Sequence, residues 1–333
     1  MKVSEIGEFG LIEILAKMVE KSRDVKSPAW KNMVAGIGDD AAAWKNTSRI
    51  TLATTDCLVQ DVHFKLGQTA WSDLGWKALA VNLSDIAAVG GKAQYALVTL
   101  GLPTDTEVED ITNMYKGMID LGEIYGVTIA GGDTTSSKTV FISLTVTGSA
   151  GKRLLRRSAA RPGDLIAVTG YLGAAAAGLR LISNGAASTT EDAPLRQAFL
   201  RPFPRLREGA IILSVGGHAA IDISDGLVAD LGHICRASQV GARIEVERIP
   251  LHPAVRKVFP AQALDMALGG GEDYELLFTA SAATIDKVRA KTSLPVSVIG
   301  EIAADVTGQV QVLDSNGRPY VFDKAGWDHF GKI

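Results

Sequence analysis

Along this chain the apolar residues switch repeatedly between a two-residue and a 3.6-residue period, without a regular strand–helix–strand beat. That order disfavours a doubly wound parallel sheet and predicts an α+β architecture. Strands are expected over 50–56, 96–100, 128–130, 140–148 and 165–169. Helices are expected over 8–19, 71–89, 108–125, 173–183, 205–215, 227–238 and 283–291. Residues 34–43 read as a Gly/Asp loop, 183–194 as an exposed polar loop, and 269–280 as a Gly-rich turn running into a strand. The chain has 333 residues, 47% of them hydrophobic, which is enough for two cores. A basic stretch with Arg-Pro-Gly at 149–163 marks the expected boundary, giving domains 1–150 and 151–333.

Charge narrows the partners. The charged fraction is 21% and the net charge −3, so no basic excess points to nucleic acid. The first ten residues do not resemble a signal peptide, and the apolar runs are too short to span a bilayer. Cys57 and Cys235 form no Cys-x-x-Cys or Cys/His cluster, which leaves no foothold for zinc or redox chemistry. These features predict a cytoplasmic protein with no membrane partner and a reduced, partly buried Cys57.

Chemistry gathers in acidic residues set in Gly- or hydroxyl-rich segments. They are Gly38-Asp39-Asp40, Thr54-Thr55-Asp56, Ser84-Asp85, Gly132-Asp133, Asp222-Ile223-Ser224-Asp225-Gly226 and Gly271-Glu272-Asp273. Each alone is explained by a turn or a helix cap. Together they suggest hard cations held by oxygen ligands, with phosphates brought close to glycine backbone. Asp85 lies in an apolar helical stretch, where an unpaired carboxylate is costly, so it needs a cavity or a partner. No Walker A loop, protein-kinase signature or EF-hand is present, and Gly36-Ile37-Gly38-Asp39-Asp40-Ala41 matches a dinucleotide fingerprint only in its loosest form. Asn82-Leu83-Ser84-Asp85 and Asp222-Ile223-Ser224-Asp225 are alike locally, too briefly to establish a duplication.

In order and spacing these motifs resemble the thiamine-monophosphate kinase family, whose superfamily includes aminoimidazole-ribotide synthetase and selenophosphate synthetase. The likeness runs from Gly7-Glu8-Phe9 to Trp327-Asp328-His329-Phe330 and includes Val81-Asn82-Leu83-Ser84-Asp85, Gly131-Gly132-Asp133-Thr134-Thr135 and Gly270-Gly271-Glu272-Asp273-Tyr274-Glu275-Leu276. The resemblance implies a two-domain synthetase-like α+β fold. Its N-terminal domain would bind ATP and magnesium and pair across a homodimer into a barrel-like sheet, and the C-terminal domain would complete the site. It implies transfer of the ATP γ-phosphoryl group to thiamine monophosphate, giving thiamine diphosphate. Carried over by position, Asp40, Thr54, Thr55, Asp56, Asp85, Asp133 and Asp222 would hold magnesium, and Asp225 a further metal. Gly132, Asp133, Arg157 and Ser224 would meet ATP, and His63, Glu272 and Trp327 the thiamine moiety. Asp56, Asp85 and Asp133, with Arg157, would form the catalytic core.

An acceptor that is already a phosphate anion needs no catalytic base. The obstacle is repulsion, roughly 4 kcal/mol for each pair of unit charges at about 4 Å and an effective dielectric near 20. Cations and positioning would supply most of the rate. Without the resemblance, His63 could be a satisfied surface histidine, Trp327 a core plug, and Arg157 part of a solvated turn with Arg153, Arg156 and Arg161. Other ATP-using synthetases of the superfamily, or a non-catalytic nucleotide- or metal-binding protein, are the rival readings. The lack of any Cys before Cys57 argues against selenophosphate synthesis.

Overall fold

The computed structural model describes residues 6, 11, 14–15, 17–22, 27, 30–31, 33–35, 43–44, 50–305 and 307–327. The expected loop motif with Asp39 and Asp40, half of the helix expected over 8–19, and the Asp328-His329-Phe330 ending lie outside them. The chain divides into two compact units, one of residues 1–86 and 92–152, the other of residues 87–91 and 153–333. Both mix helices with largely antiparallel sheets, so the architecture is α+β.

In the first unit, β1 (Met33–Ala35) pairs with β2 (Ala43–Trp44), so the ends of the expected 34–43 loop are strand. A second sheet has the order β3-β6-β4-β5, from β3 (Ile50–Val59), β4 (Lys92–Leu102), β5 (Thr128–Ser136) and β6 (Phe141–Ala150). β6 alternates half-buried and buried along its whole length, because one face is packed and the other open. The packed face carries Ile142, Leu144 and Val146 with Ala96, Val98 and Leu100. Two helices, α1 (Trp71–Ala88) and α2 (Val108–Tyr125), accompany it. They cross closely because Gly75 lies against the Met114 backbone and Gly117 against that of Ser72, where a Cβ has no room. α2 ends where Gly126 takes the left-handed conformation and its N–H reaches the Gly122 carbonyl.

The second unit holds a six-stranded sheet. Its strands are β7 (Leu165–Thr169), β8 (Ala220–Asp222), β9 (Gly241–Glu245), β10 (Leu276–Ala280), β11 (Val296–Ala303) and β12 (Val310–Leu313), in the order β12-β9-β11-β7-β10-β8. Only β12 and β9 are parallel. Around them lie α3 (Ala174–Ser183), α4 (Ala193–Leu200), α5 (Leu206–Val215), α6 (Leu227–Ser238), α7 (Pro253–Val258), α8 (Ala263–Gly269) and α9 (Ala282–Lys291). β7 and β10 are buried through nearly every residue, between two apolar clusters. The first is led by Ile166, Ile221, Leu231 and Leu277, the second by Ala167, Ala220, Phe278 and Ile285.

Several expectations are corrected. The 183–194 stretch is not simply an exposed loop, because Asp192 is buried, takes the Thr189 N–H and holds Arg196 of α4. Gly131-Gly132-Asp133 is not a turn but the middle of β5. Cys57 is exposed rather than partly buried, since it falls on the open face of β3. The two Ser-Asp motifs are not equivalent, one lying inside α1 and the other in the loop after β8.

Candidate functional site

Strand alternation divides the acidic residues of the first unit between two faces. The Thr54 hydroxyl donates to the Asp85 carboxylate, which joins β3 to α1 on the packed side. Asp56, two residues along β3, shares that side and pairs with Leu144. Asp85 therefore has the partner that its apolar helix demands. Thr55 points to the open face, where its hydroxyl donates to the Leu144 carbonyl (2.9 Å) and accepts from the Thr145 hydroxyl (3.3 Å). Asp133 joins the open-face row, since it pairs with Thr99, Thr99 with Ser143, and Ser143 with Cys57. Its carboxylate is exposed and accepts the Thr134 N–H at 2.9 Å.

Asp133 and β3 stand three strands apart, about 14 Å along the sheet at the usual spacing. One chain bonds Thr54 to Asp85 and sets Asp56 on the same side of the sheet, but keeps Asp133 on the other. Gly132 is required for a reason that composition does not reveal: β5 runs so close to β4 that a Cβ would strike the Val98 carbonyl. His63 follows β3 in a turn, its Nδ1 accepting the Val59 N–H at 2.9 Å, so in its neutral form the proton sits on Nε2. Asp40 lies outside the described residues.

In the second unit the expected residues gather at one end of the sheet. Asp222, the last residue of β8, is 3% exposed and pairs with Leu276, the first of β10. The loop 223–226 and the turn 270–275 thus leave adjacent strands side by side. Glu272 donates its N–H to the Ser224 carbonyl (2.8 Å), and Trp327 donates its own to the next carbonyl, Asp225 (2.9 Å). Glu272 and Tyr274 hold left-handed φ angles of 58° and 50°, and Gly271 passes too close to Ser224 and Asp225 for any side chain. Trp327 is 50% exposed, so it is not a core plug.

Arg157 is exposed in the short turn Arg157–Ala159. Ser238, at the end of α6, ties that turn down by donating to the Arg157 carbonyl (2.8 Å) and accepting the Ala160 N–H (3.0 Å). Burial, then the Arg236 and Arg157 charges, push the His233 pKa below its ordinary value. The Ser238 bonds hold the Arg157 turn against the end of α6, the helix that also carries His233. Ligand atoms of Asp225, Asp230 and His233 lie within 4.8 Å of one another.

Sequence reasoning passed over Asp230, and it read Asp273 and Glu275 only as members of motifs, without their structural roles. The signal for Asp230 was an acid in the first turn of a helix whose cap, Gly226, has no side chain. Asp273 caps α3 from a distance, its carboxylate accepting the Gly173 (2.8 Å) and Ala175 (3.2 Å) N–H groups. Glu275 is buried and takes Arg205 Nε (2.8 Å) and the Thr169 hydroxyl (2.6 Å).

As donors, the expected metal ligands are carboxylates and hydroxyls. Asp222 and Asp225 also crowd the buried carboxylate of Asp230, so positive charge is in demand there. An all-oxygen, negatively charged set fits magnesium.

Known proteins resemble this chain over nearly its whole length. Residues 38–150 match the family AIR synthase related protein, N-terminal domain, and residues 161–313 its C-terminal domain. Thiamine-monophosphate kinase of Escherichia coli strain K12 is 40% identical over 97% of this chain and 98% of its own. That of Bacillus subtilis is 36% identical over 89% of this chain and 93% of its own. The crystal structure of the Stenotrophomonas maltophilia enzyme superposes with a TM-score of 0.82 at 37% identity, covering 95% of this chain and 98% of that one. A solved structure described as AaThiL complexed with AMPPCP and TMP gives 0.78 at 33% identity, covering 99% of each chain.

Proposed function

The chain belongs to the thiamine-monophosphate kinase family, and from that premise we propose that it phosphorylates thiamine monophosphate with ATP, yielding thiamine diphosphate and ADP. The observation that carries this reading is the full-length likeness to these enzymes, one neighbour being described with an ATP analogue and TMP together.

The acceptor phosphate attacks the γ-phosphorus, the bond to the β-phosphate oxygen breaks, and ADP leaves. No protein base is called for, so the side chains position and neutralise. Thr54, Thr55, Asp56, Asp85, Asp133, Asp222 and Asp40 would hold magnesium, with Asp225 taking a further ion. When bound, magnesium would supply the positive charge that offsets repulsion between the two phosphates. Asp56, Asp85 and Asp133 form the proposed catalytic core, and Arg157 would neutralise part of the triphosphate from its exposed turn. Gly132, Asp133 and Ser224 would line the nucleotide. Glu272 and Trp327, hung on successive carbonyls of one loop, would meet the thiamine moiety together with His63. Trp327 offers a ring face to a thiazolium cation.

We propose further that the chain acts as a homodimer whose N-terminal sheets join edge to edge into a barrel-like arrangement, the edge strand β3 of one protomer beside the edge strand β5 of its partner, with the open faces inside. This reading accounts for two features at once. The open face carries the Thr51, Ala53, Thr55 and Cys57 row unburied. Asp133, stranded far from Asp56 within one chain, would join Asp56 of its partner protomer. A cytoplasmic location follows from the ATP requirement, and no helix among the described residues is long and apolar enough to cross a membrane.

The test is incubation with ATP, magnesium and thiamine monophosphate. ADP and thiamine diphosphate should form in equal amounts, and chelation of the metal should stop both. ADP without thiamine diphosphate would refute the proposal.

A further inference from the structure

Three successive backbone N–H groups, those of Ser224, Asp225 and Gly226, point at a single oxygen. That oxygen is Oδ2 of Asp230, 3.1 Å from each. Such a run of N–H groups is the concave nest that elsewhere binds phosphate. Here the chain's own carboxylate fills it from behind, with Asp230 only 1% exposed in the first turn of α6. The local reason is steric. Gly226, the cap of α6, has φ 132° and lies so close to Gly269 that it cannot carry a capping side chain. An acid one turn into the helix reaches back instead.

The loop's carbonyls are engaged as well, that of Ser224 by the Glu272 N–H and that of Asp225 by the Trp327 N–H. Its main chain is therefore committed to the protein at every one of these groups. What the loop can turn toward a ligand is side chains, the Ser224 hydroxyl and the Asp225 carboxylate, both half-buried.

We infer that Asp230 is a positioning residue for the nucleotide–metal end of the site: it occupies the anion nest of residues 224–226, so that this loop meets ATP through side chains and cations and not through its backbone N–H groups. The inference rests on the kinase reading above for what the loop binds. The commitment of the N–H groups is independent of it. Burial first, and then the nearby Asp222 and Asp225 charges, push the Asp230 carboxyl up to about 7.

Two measurements decide it. In wild-type protein without nucleotide, the amides of Ser224, Asp225 and Gly226 should already be protected from hydrogen exchange. Adding magnesium and a non-hydrolysable ATP analogue should slow them no further. Amides that exchange freely and become protected only with the analogue would overturn the inference, whether or not the protein proves to be a kinase.

In kinetics, Asp230→Asn retains an acceptor oxygen and should keep KM for magnesium–ATP within about threefold of wild type. Asp230→Ala should raise it about tenfold or more, the usual range for losing a group that orients metal ligands. A cap with only a structural role would lower Tm in the alanine variant and leave KM untouched, and that result would overturn the inference. An asparagine variant as impaired as alanine would do the same. Should the alanine variant fail to fold, the exchange experiment and the asparagine variant still decide. Absence of kinase activity in wild type would count against the function proposed above and leave the exchange result standing.

Discussion

Glu275 shows how much of this site is built from charges paired inside the protein. Its carboxylate is buried between Arg205 and Thr169, and Thr169 in turn accepts the Leu276 N–H at 2.9 Å. Removing one member of a buried pair leaves the other uncompensated. Arg205→Ala should therefore cost about 3 kcal/mol in urea unfolding. Two residues earlier, Asp273 is governed by burial. Desolvation outweighs its bonds to the Gly173 and Ala175 N–H groups and lifts it from an ordinary 3.8 to about 7. A carboxyl with a raised folded pKa binds more protons folded than unfolded between those two values. Its contribution to stability is complete below about 3.8 and is lost as pH rises through about 7. Comparison of Tm for wild type and Asp273→Asn should show wild type gaining on the variant as pH falls from 7 to 4. A constant difference across that window would contradict the assignment. Little of this was legible in the sequence, where Asp273 and Glu275 read as parts of a motif and their partners lie 70 to 106 residues away.

At the scale of elements, local chemistry was legible where one period ran long enough. α2 and β7 have the bounds that periodicity gives, and α1, α6 and α9 fall within a residue or so of them. β9, β11, β12, α7 and α8 were missed, being short segments that hold their form through neighbours. β5 was truncated for the opposite reason. Gly131-Gly132 reads as a turn from composition, yet the strand passes straight through, because glycine is what permits its close run beside Val98. Gly132→Ala should push β5 away from β4 and cost about 1–3 kcal/mol in thermal or urea unfolding. Turnover in that variant should fall further than stability alone explains, since Asp133 moves with the strand. The acidic motifs themselves were legible. The face on which each falls became visible only with the strand register.

For the whole molecule, the question is how carboxylates on opposite faces of one sheet serve one reaction. Asp56 and Asp85 face the packed side with Thr54, and Asp133 faces the open side three strands away. Pairing of two protomers with the edge strand β3 of one beside the edge strand β5 of the other would answer it, each site drawing Asp56 from one protomer and Asp133 from its partner across the seam. Asp133→Asn alone should fold with an unchanged Tm and lose most turnover, because an exposed carboxylate makes little contribution to stability. The direct measurement is complementation: Asp56→Asn and Asp133→Asn proteins, each nearly inactive, are unfolded together, refolded as a mixture and assayed with ATP, magnesium and thiamine monophosphate. Mixed dimers contain one site with both carboxylates intact, so the mixture should recover a substantial part of wild-type turnover. A mixture that forms dimers yet stays as inactive as its parents would contradict the shared site, and wild-type turnover by Asp133→Asn alone would contradict the role of that carboxylate.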